Sequence, residues 1–453
     1  MSQLVIRFLG ILNVMVYDHA RLGALEIVRT LQGRGFRALW AGGCVRDMLL
    51  GVVPQDYDIA TNADLHEVIG IFPNAREVGA HFGVVVVQLG DHIYEIARFR
   101  RDVGYSDGRH PDRVEFTDEV EDARRRDFTI NGMFYDPVAD QVLDYVDGRI
   151  DLDRKIIRCI GDPKVRFEED RLRLLRAIRF GCRYHWPIEE STRNAIVELS
   201  GGILAVSWER IREELSKILT EGGAALGVRW LIDWGLVGHV IPEVLEMDGV
   251  PQPPEYHPEG DVLTHTLLML DLLKRPSVEL AMATLLHDVG KPRTFEILDR
   301  IRFNNHPKVG AKMAEAICRR LRFSTEQILH IVSLVSEHHQ FMHVREMRRS
   351  KLVRFLRDPY FDDHLALHYV DCMSSHGMLD NYQFCKNELE NLEPERLRPL
   401  PLVTGHDLVA LGYDPGPLFK KVLTAVEDAQ LEGSVQKRED ALVLAKYLFD
   451  ASV

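Results

Sequence analysis

Asp56 and Asp58, with Tyr57 between them and Ile59-Ala60-Thr61 behind, commit the chain to an extended segment if both carboxylates are to act together. Side chains two residues apart on a strand project to one face, so the pair can grip divalent cations side by side. Shortly upstream runs Gly42-Gly43-Cys44-Val45-Arg46-Asp47. A glycine pair lets bare backbone N–H groups approach a triphosphate, and Arg46 adds charge-assisted contacts. Paired cations beside such a turn suit an in-line phosphoryl displacement, activating a hydroxyl nucleophile and neutralising a leaving pyrophosphate.

At 453 residues, 28% charged and 46% hydrophobic, the chain has the length and composition of several folded modules with cores of their own. A formal net charge of −13 argues against nucleic acid only if charge is evenly spread. It is not, because Arg98, Arg100, Arg101, Arg109, Arg113, Arg124, Arg125 and Arg126 cluster in one stretch and six more arginines lie between Arg166 and Arg183. An RNA would meet a local basic cleft on an acidic molecule, with salt-sensitive binding. The cysteines at 44, 159, 182, 318, 372 and 385 show no C-x-x-C spacing, so neither a zinc cluster nor a disulfide framework is indicated and a reducing cytoplasm is expected. No stretch has the length and apolarity of a membrane span. Leu4 to Tyr17 is mostly apolar, but Arg7 interrupts it and no small-residue cleavage site follows Asp18. That segment reads as a short structured extension or as sequence ahead of a natural start at Met15 rather than Met1.

Residues 20–150 alternate in period, as an α/β head does: Gly23 to Leu31 reads as a helix, Ala38 to Ala41 and Tyr57 to Ala60 as strands, Val84 to Gln88 and Ile93 to Phe99 as a strand pair. Glu95, on that pair, offers a third carboxylate to the metal site. From about residue 155 helical periodicity dominates. Pro251 to Pro258 holds four prolines and breaks it, and Leu397 to Pro401 breaks it again. The expected class is α+β, with a head at 20–150, a helical neck with the nucleotide-selecting and RNA-binding region at 151–250, a helical body at 251–397 and a helical tail at 398–453.

Two further blocks carry chemistry. In Arg125-Arg126-Asp127-Phe128-Thr129-Ile130-Asn131, guanidinium groups suit phosphate oxygens and a carboxylate suits a hydroxyl. In Glu169-Asp170-Arg171-Leu172-Arg173, a helix would set Asp170 and Arg173 on one face, with Arg176 three residues further on. An acceptor beside a donor selects bases: cytosine and adenine both present an amino donor next to a ring-nitrogen acceptor, whereas guanine and uracil present the reverse. Asp170 and Arg173 would therefore admit CTP and ATP and leave buried polar groups unpaired with GTP or UTP.

Together these blocks resemble the template-independent tRNA nucleotidyltransferase and poly(A) polymerase family (class II) of the DNA polymerase beta superfamily. The resemblance implies a nucleotidyltransferase head in which Asp56 and Asp58 hold Mg2+, and in which Gly42, Gly43, Arg46, Arg125, Arg126, Asp127, Asn131, Asp170, Arg173 and Arg176 bind the nucleotide. Asp127 would read the ribose 2′-hydroxyl and Arg126 or Arg125 the phosphates. Ser207-Trp208-Glu209-Arg210-Ile211-Arg212-Glu213-Glu214-Leu215 resembles the family's last motif, a serine cap with Glu209 and Arg210 bracing the selector helix. Asp147-Gly148 is the expected hinge between C and A addition. The loop Arg101 to Phe116 is unshortened, which favours an enzyme able to add A. The implied partners are the tRNA 3′ end, CTP and ATP, with neither DNA nor membrane. Full CCA addition, A-only addition and poly(A) synthesis all remain compatible with these residues.

The second half holds His265, then His287-Asp288, then Asp371, which resembles the H…HD…D signature of HD-domain phosphohydrolases; His306, His338 and His339 match additional histidines of that group. Imidazole and carboxylate donors suit a transition metal such as Ni2+, Mn2+, Co2+ or Fe2+. The segment His257-Pro258-Glu259-Gly260 and His265-Thr266 add to the match. The alternatives in other classes are a metal-dependent phosphohydrolase with a vestigial head and an RNA-binding scaffold.

Overall fold

The computed structural model describes residues 19–78, 84–104, 113–393 and 397–451. They fall into two compact units, Met1–Pro242 and Glu243–Val453. Among the described residues no helix is long and apolar enough to cross a membrane. The apolar segment Leu4 to Tyr17, Met15 included, lies outside them.

The first unit is built on a seven-stranded sheet among the described residues. Its strands are β1 (Ala38–Ala41), β2 (Ile59–Thr61), β3 (Ala75–Glu77), β4 (Val84–Leu89), β5 (His92–Arg98), and two later ones, β8 (Phe134–Asp136) and β9 (Gln141–Leu143). Between them β6 (Arg100–Val103) and β7 (Arg113–Phe116) form a separate antiparallel ladder. The order in the large sheet is β3-β4-β5-β2-β1-β8-β9, and only β2–β5 is a parallel pairing there.

Alternation explains the β4–β5 hairpin: Val85 and Val87 are buried on one strand, Tyr94 and Ile96 on the other. The strand expected at Tyr57 to Ala60 begins at Ile59, although Ala41 N donates to Asp58 O at 3.0 Å and carries the ladder one residue further. Behind the sheet Leu39, Ala41, Ala60, Phe99 and Phe134 pack with Ala123 of α2 (Glu119–Arg124). This fixes the Arg125–Asn131 block, which follows α2, beside the ends of β1 and β2.

α1 (Gly43–Leu49) follows β1 directly. The neck contributes α3 (Pro163–Glu169), α4 (Arg173–Tyr184) and α5 (Trp208–Thr220). The helical spacing expected for Asp170 and Arg173 does not hold, because Asp170 is extended at the end of α3 and Arg173 opens α4. Ser207 precedes α5 but its side chain makes no capping bond.

The second unit contains α6 (Val262–Leu272), α7 (Val278–Leu286), α8 (His306–Arg320), α9 (Thr325–Glu337) and α10 (Phe361–Ser374). Asp261 caps α6 and Ser277 caps α7, each side chain accepting a backbone N–H two or three positions inside the helix. Helix α7 is buried along Leu280–Leu286, as expected of a helix apolar on every side. A short hairpin, Phe295–Ile297 with Ile301–Phe303, interrupts the helices and was not legible in the sequence. Gly290 permits the close approach of α8: a Cβ there would lie 2.4 Å from His306 O. Beyond α10, Val403, Leu408, Val422, Val426 and Phe449 belong to a further core cluster.

Candidate functional site

Parallel register places the head carboxylates. Ile59 stands opposite Ile96, so one residue back Asp58 lies beside Glu95, and alternation turns both away from the buried face. The Asp58 side chain is open to solvent, yet the protein packed around it, then Asp56, then Glu95, raises its carboxyl to about 6 against the opposing pull of Arg126. A cluster of oxygen donors that repel one another fits a hard divalent cation. Cys44 lies near this cluster, and burial and then Asp58 push its thiol up to about 12.

Gly42 has φ 73°, and a Cβ on it would lie 2.7 Å from Arg126 Nη1. Its own N–H donates to Met133 O at 3.1 Å, so its part is to make room. Arg46 is buried: Nη1 donates to Asn131 Oδ1 at 2.6 Å, Nη2 pairs with Asp47 at 2.7 Å, and the guanidinium lies over Phe180 and Tyr184. It ties the glycine turn to Asn131 and α4. Arg125 and Arg126 both pair with the buried Asp122, at 2.7 and 3.0 Å. Burial alone would raise Asp122, but Arg126 and Arg125 outweigh it and hold the carboxyl below its usual range.

Asp127 is fully engaged. Oδ1 accepts from Phe128 N at 2.8 Å and Asn131 Nδ2 at 3.1 Å, and Oδ2 accepts twice from Arg176. A carboxylate has about four lone-pair positions. Burial raises this carboxyl, yet Arg176 and Asn131 prevail and hold it well below the usual range.

Asp170 and Arg173 are held by different partners. Arg210 of α5 donates to both Asp170 oxygens, at 3.2 and 2.9 Å, and Leu172 N donates to Oδ1 at 3.1 Å. Three donors thus leave one acceptor position, on Oδ2. Arg173 is braced by Glu169 at 2.9 Å, Arg166 O at 3.0 Å and Arg125 O at 3.1 Å. Arg210 and Glu209 were expected to brace the selector helix; Arg210 instead holds Asp170 on the link before α4, and Glu169 was missed as the brace of Arg173. Its signal was the i, i+4 spacing to Arg173. Asp147 has φ 61°, and Asp144 accepts from the N–H groups of Val146, Gly148 and Arg149 around the expected hinge. Of the loop Arg101 to Phe116, residues 105–112 lie outside the described residues.

In the second unit, helix starts and ends converge on Asp288. His287 Nε2 lies 3.0 Å from Asp288 Oδ2, while His306 and His338 Nε2 lie 3.3 and 3.8 Å from Oδ1. His265 Nε2 faces Asp371 at 3.1 Å. His265, His287 and Asp288 each offer a ligand atom within 4.8 Å of the others, and so do His306, His338 and His339. His265 Nε2, His287 Nε2 and Asp288 Oδ1 are buried and complete no hydrogen bond. Buried polar atoms left in this way fit a bound metal.

His287, His306 and His338 each turn Nδ1 to a backbone carbonyl, of Thr284, Phe303 and Val335, which turns Nε2 into the centre, where those of His306 and His338 meet each other at 3.3 Å. Burial lowers His265, but Asp371 and Glu259 prevail and raise it to about 9; burial and then His306 lower His339 to about 4. Lys291, 2.7 Å from Asp288 Oδ2, was missed in the sequence as part of this centre, whereas Glu259, quoted there only within its motif, proves to hold His265 Nδ1.

Three family profiles match in chain order: the poly A polymerase head domain over residues 38–158, the probable RNA and SrmB- binding site of polymerase A over 187–247, and the HD domain over 262–358. The CCA-adding enzyme of Lactobacillus helveticus is 42% identical over 196 residues, 43% of this chain and 49% of that protein. The chain thus spans about half the length of that curated relative. The CCA-adding enzyme of Ligilactobacillus salivarius is 30% identical over 436 residues, 95% of this chain and 97% of that protein. Among solved structures, a Bacillus stearothermophilus CCA-adding enzyme in complex with CTP has a TM-score of 0.71 at 24% identity, covering 95% of this chain and 96% of that one. A Thermotoga maritima CCA-adding enzyme complexed with tRNA has a TM-score of 0.56 at 19% identity, covering 95% of each. These two structures speak for the fold.

Proposed function

Since the chain belongs to the CCA-adding enzyme family, we propose that it extends the 3′ end of tRNA with C and A from CTP and ATP, without a template. The observation that carries this reading is Asp170, clamped by Arg210 and Leu172 N with one acceptor position left beside the braced Arg173. That position accepts the amino group that cytosine and adenine share, and Arg173 donates to the adjoining ring nitrogen. GTP and UTP would set donor against donor.

Asp56 and Asp58, with Glu95 beside Asp58, would hold Mg2+, which supplies Lewis acidity to the attacking hydroxyl and the departing pyrophosphate. Arg126, whose Nη1 flanks Gly42, would meet phosphate. Arg46 orients Asn131 and α4. Asp127 reads the ribose only if an Arg176 N–H yields its place, which makes Arg176 the group that shifts when a nucleotide enters. The working division is head 20–150, neck 151–250, HD domain 251–397 and tail 398–453, and the working compartment is the cytoplasm.

Incorporation of labelled CTP and ATP into tRNA lacking its tail tests the reading. Sequential addition of C, C and A supports it. Addition of A alone favours the A-only or poly(A) alternative, and no addition with retained phosphoester hydrolysis favours a vestigial head. A second activity is proposed for the HD centre, where His265, His287, Asp288 and Asp371 would hold a transition metal for phosphoester hydrolysis. The buried Nε2 atoms of His265 and His287, each beside a carboxylate of the set, support it.

A further inference from the structure

The proline-rich run that reads as a break in the sequence folds onto the histidine centre. Gln252 is buried and its Oε1 accepts from Lys291 Nζ at 2.6 Å. Glu259 Oε1 accepts from Nδ1 of both His257, at 2.9 Å, and His265, at 2.6 Å. Both residues precede the matched HD segment, residues 262–358.

Four imidazoles offer Nε2 to the centre, and their backing differs. His287, His306 and His338 donate from Nδ1 to neutral backbone carbonyls at 2.8, 2.9 and 2.8 Å. His265 donates to a carboxylate. Ser374 Oγ, 3.3 Å from the same Nδ1, is the longer and uncharged alternative. A carboxylate behind an imidazole fixes its tautomer and raises the basicity of the opposite nitrogen, and losing such a partner costs ~10–100-fold in metal affinity.

Asp288 divides the centre. Its Oδ2 faces His287, and with His265 and Asp371 this makes one pocket; its Oδ1 faces His306 and His338, which make the other. Lys291, 2.7 Å from Oδ2, opposes a cation in the first pocket. Glu259 and Asp371 bring compensating negative charge to that side. Glu259 Oε2 is buried without a hydrogen-bond partner, a burial that costs free energy and gains nothing locally.

Resting on the reading that this centre binds transition metal, we infer that Glu259 is a positioning residue that makes the His265–His287–Asp288–Asp371 pocket the tighter of two cation pockets sharing Asp288. The pocket of His306 and His338 fills second. Glu259 acts through His265.

Calorimetric titration of the metal-stripped full-length protein with Mn2+ tests this, with Co2+ absorption as a second readout. Wild type is expected to bind in two steps, and Asp371→Asn should remove the tighter one. Glu259→Gln keeps the shape and one acceptor, and should weaken the tighter step by ~10-fold; Glu259→Leu should weaken it by ~100-fold. The weaker step should stay unchanged in both, and circular dichroism with a wild-type-like thermal melt should report an intact fold. Wild-type constants in Glu259→Leu, or equal weakening of both steps, would overturn the inference while leaving the metal reading in place. A wild type that binds no Mn2+ or Co2+ would remove both.

Discussion

Arg210 grips both carboxylate oxygens of Asp170, at 3.2 and 2.9 Å, from a helix forty positions further along the chain. The planar fork fixes the orientation of the carboxylate as well as its charge, which an ammonium does not. Arg210→Lys is expected to lower kcat/KM for CTP and ATP by roughly 10–100-fold, with UTP and GTP gaining in relative terms. Competition among the four nucleotides checks this. An unchanged preference there, and in Asp170→Arg with Arg173→Asp, would move base selection elsewhere.

Asp58→Asn should reduce nucleotide addition by ~1,000-fold or more while tRNA affinity stays near wild type, because the carboxylates serve the transition state. The pH dependence has a definite sign. Asp58 titrates near 6 when folded against 3.8 as the ordinary value, so the folded state holds more protons between those limits. Its contribution favours folding below about pH 4 and is lost as pH rises through about 6. Mg2+ should therefore raise Tm above pH 6 and have little effect below pH 4, and Asp58→Asn should flatten that difference.

Gly42→Ala combines a backbone of φ 73° with a contact on Arg126 Nη1. A cost of about 1–3 kcal/mol is expected, or roughly 2–4 °C in Tm per kcal/mol. Nucleotide addition should fall as well, since Arg126 must move. Gly43→Ala, whose Cβ would reach only Arg46 Nη2 at 3.7 Å, should leave Tm near wild type. Thermal melts of the two variants decide whether the first glycine carries the constraint.

His287→Ala with Asp288→Ala should abolish bound transition metal and any hydrolysis of 2′,3′-cyclic nucleotides without lowering CTP or ATP incorporation. Metal analysis of wild type and variant checks this. Equal metal content with no hydrolysis in either would make the HD domain a scaffold.

Shortening the loop between Tyr105 and His110 should spare C addition and stop A addition, because the larger purine requires a conformational step. Product length on sequencing gels reads this directly. Equal loss of both nucleotides would assign the loop to folding or tRNA docking.

The strands at Ala38–Ala41, Val84–Leu89 and His92–Arg98 were legible because alternation is a local signal, whereas the strand spacing argued for Asp56 and Asp58 is not carried by β2, which begins behind both at Ile59. The partner of Asp58 was half legible: Glu95 lay on an expected strand, but only the parallel register of β2 and β5 sets the two side by side. Asp170 was identified as a selector on a helical argument that fails, since the helix breaks there; Arg210 supplies the rigidity that a shared helix face would have given. The role of Arg46 inverted for a similar reason. Read alone it is a phosphate ligand, yet burial against Phe180 and Tyr184 makes it an internal strut. Gln252 escaped notice, and Glu259 was seen only as part of a motif, because prolines around them signal a break, and a break says nothing of what the segment then packs against.

All six cysteines are buried, and burial holds each thiol near 12. Thiolate is therefore scarce at neutral pH, and the native protein should be nearly inert to maleimides. A single cysteine placed at an exposed position such as Ile297, 68% exposed on its hairpin, then becomes a selective handle for a fluorophore or spin label. Wild-type side chains need no prior removal.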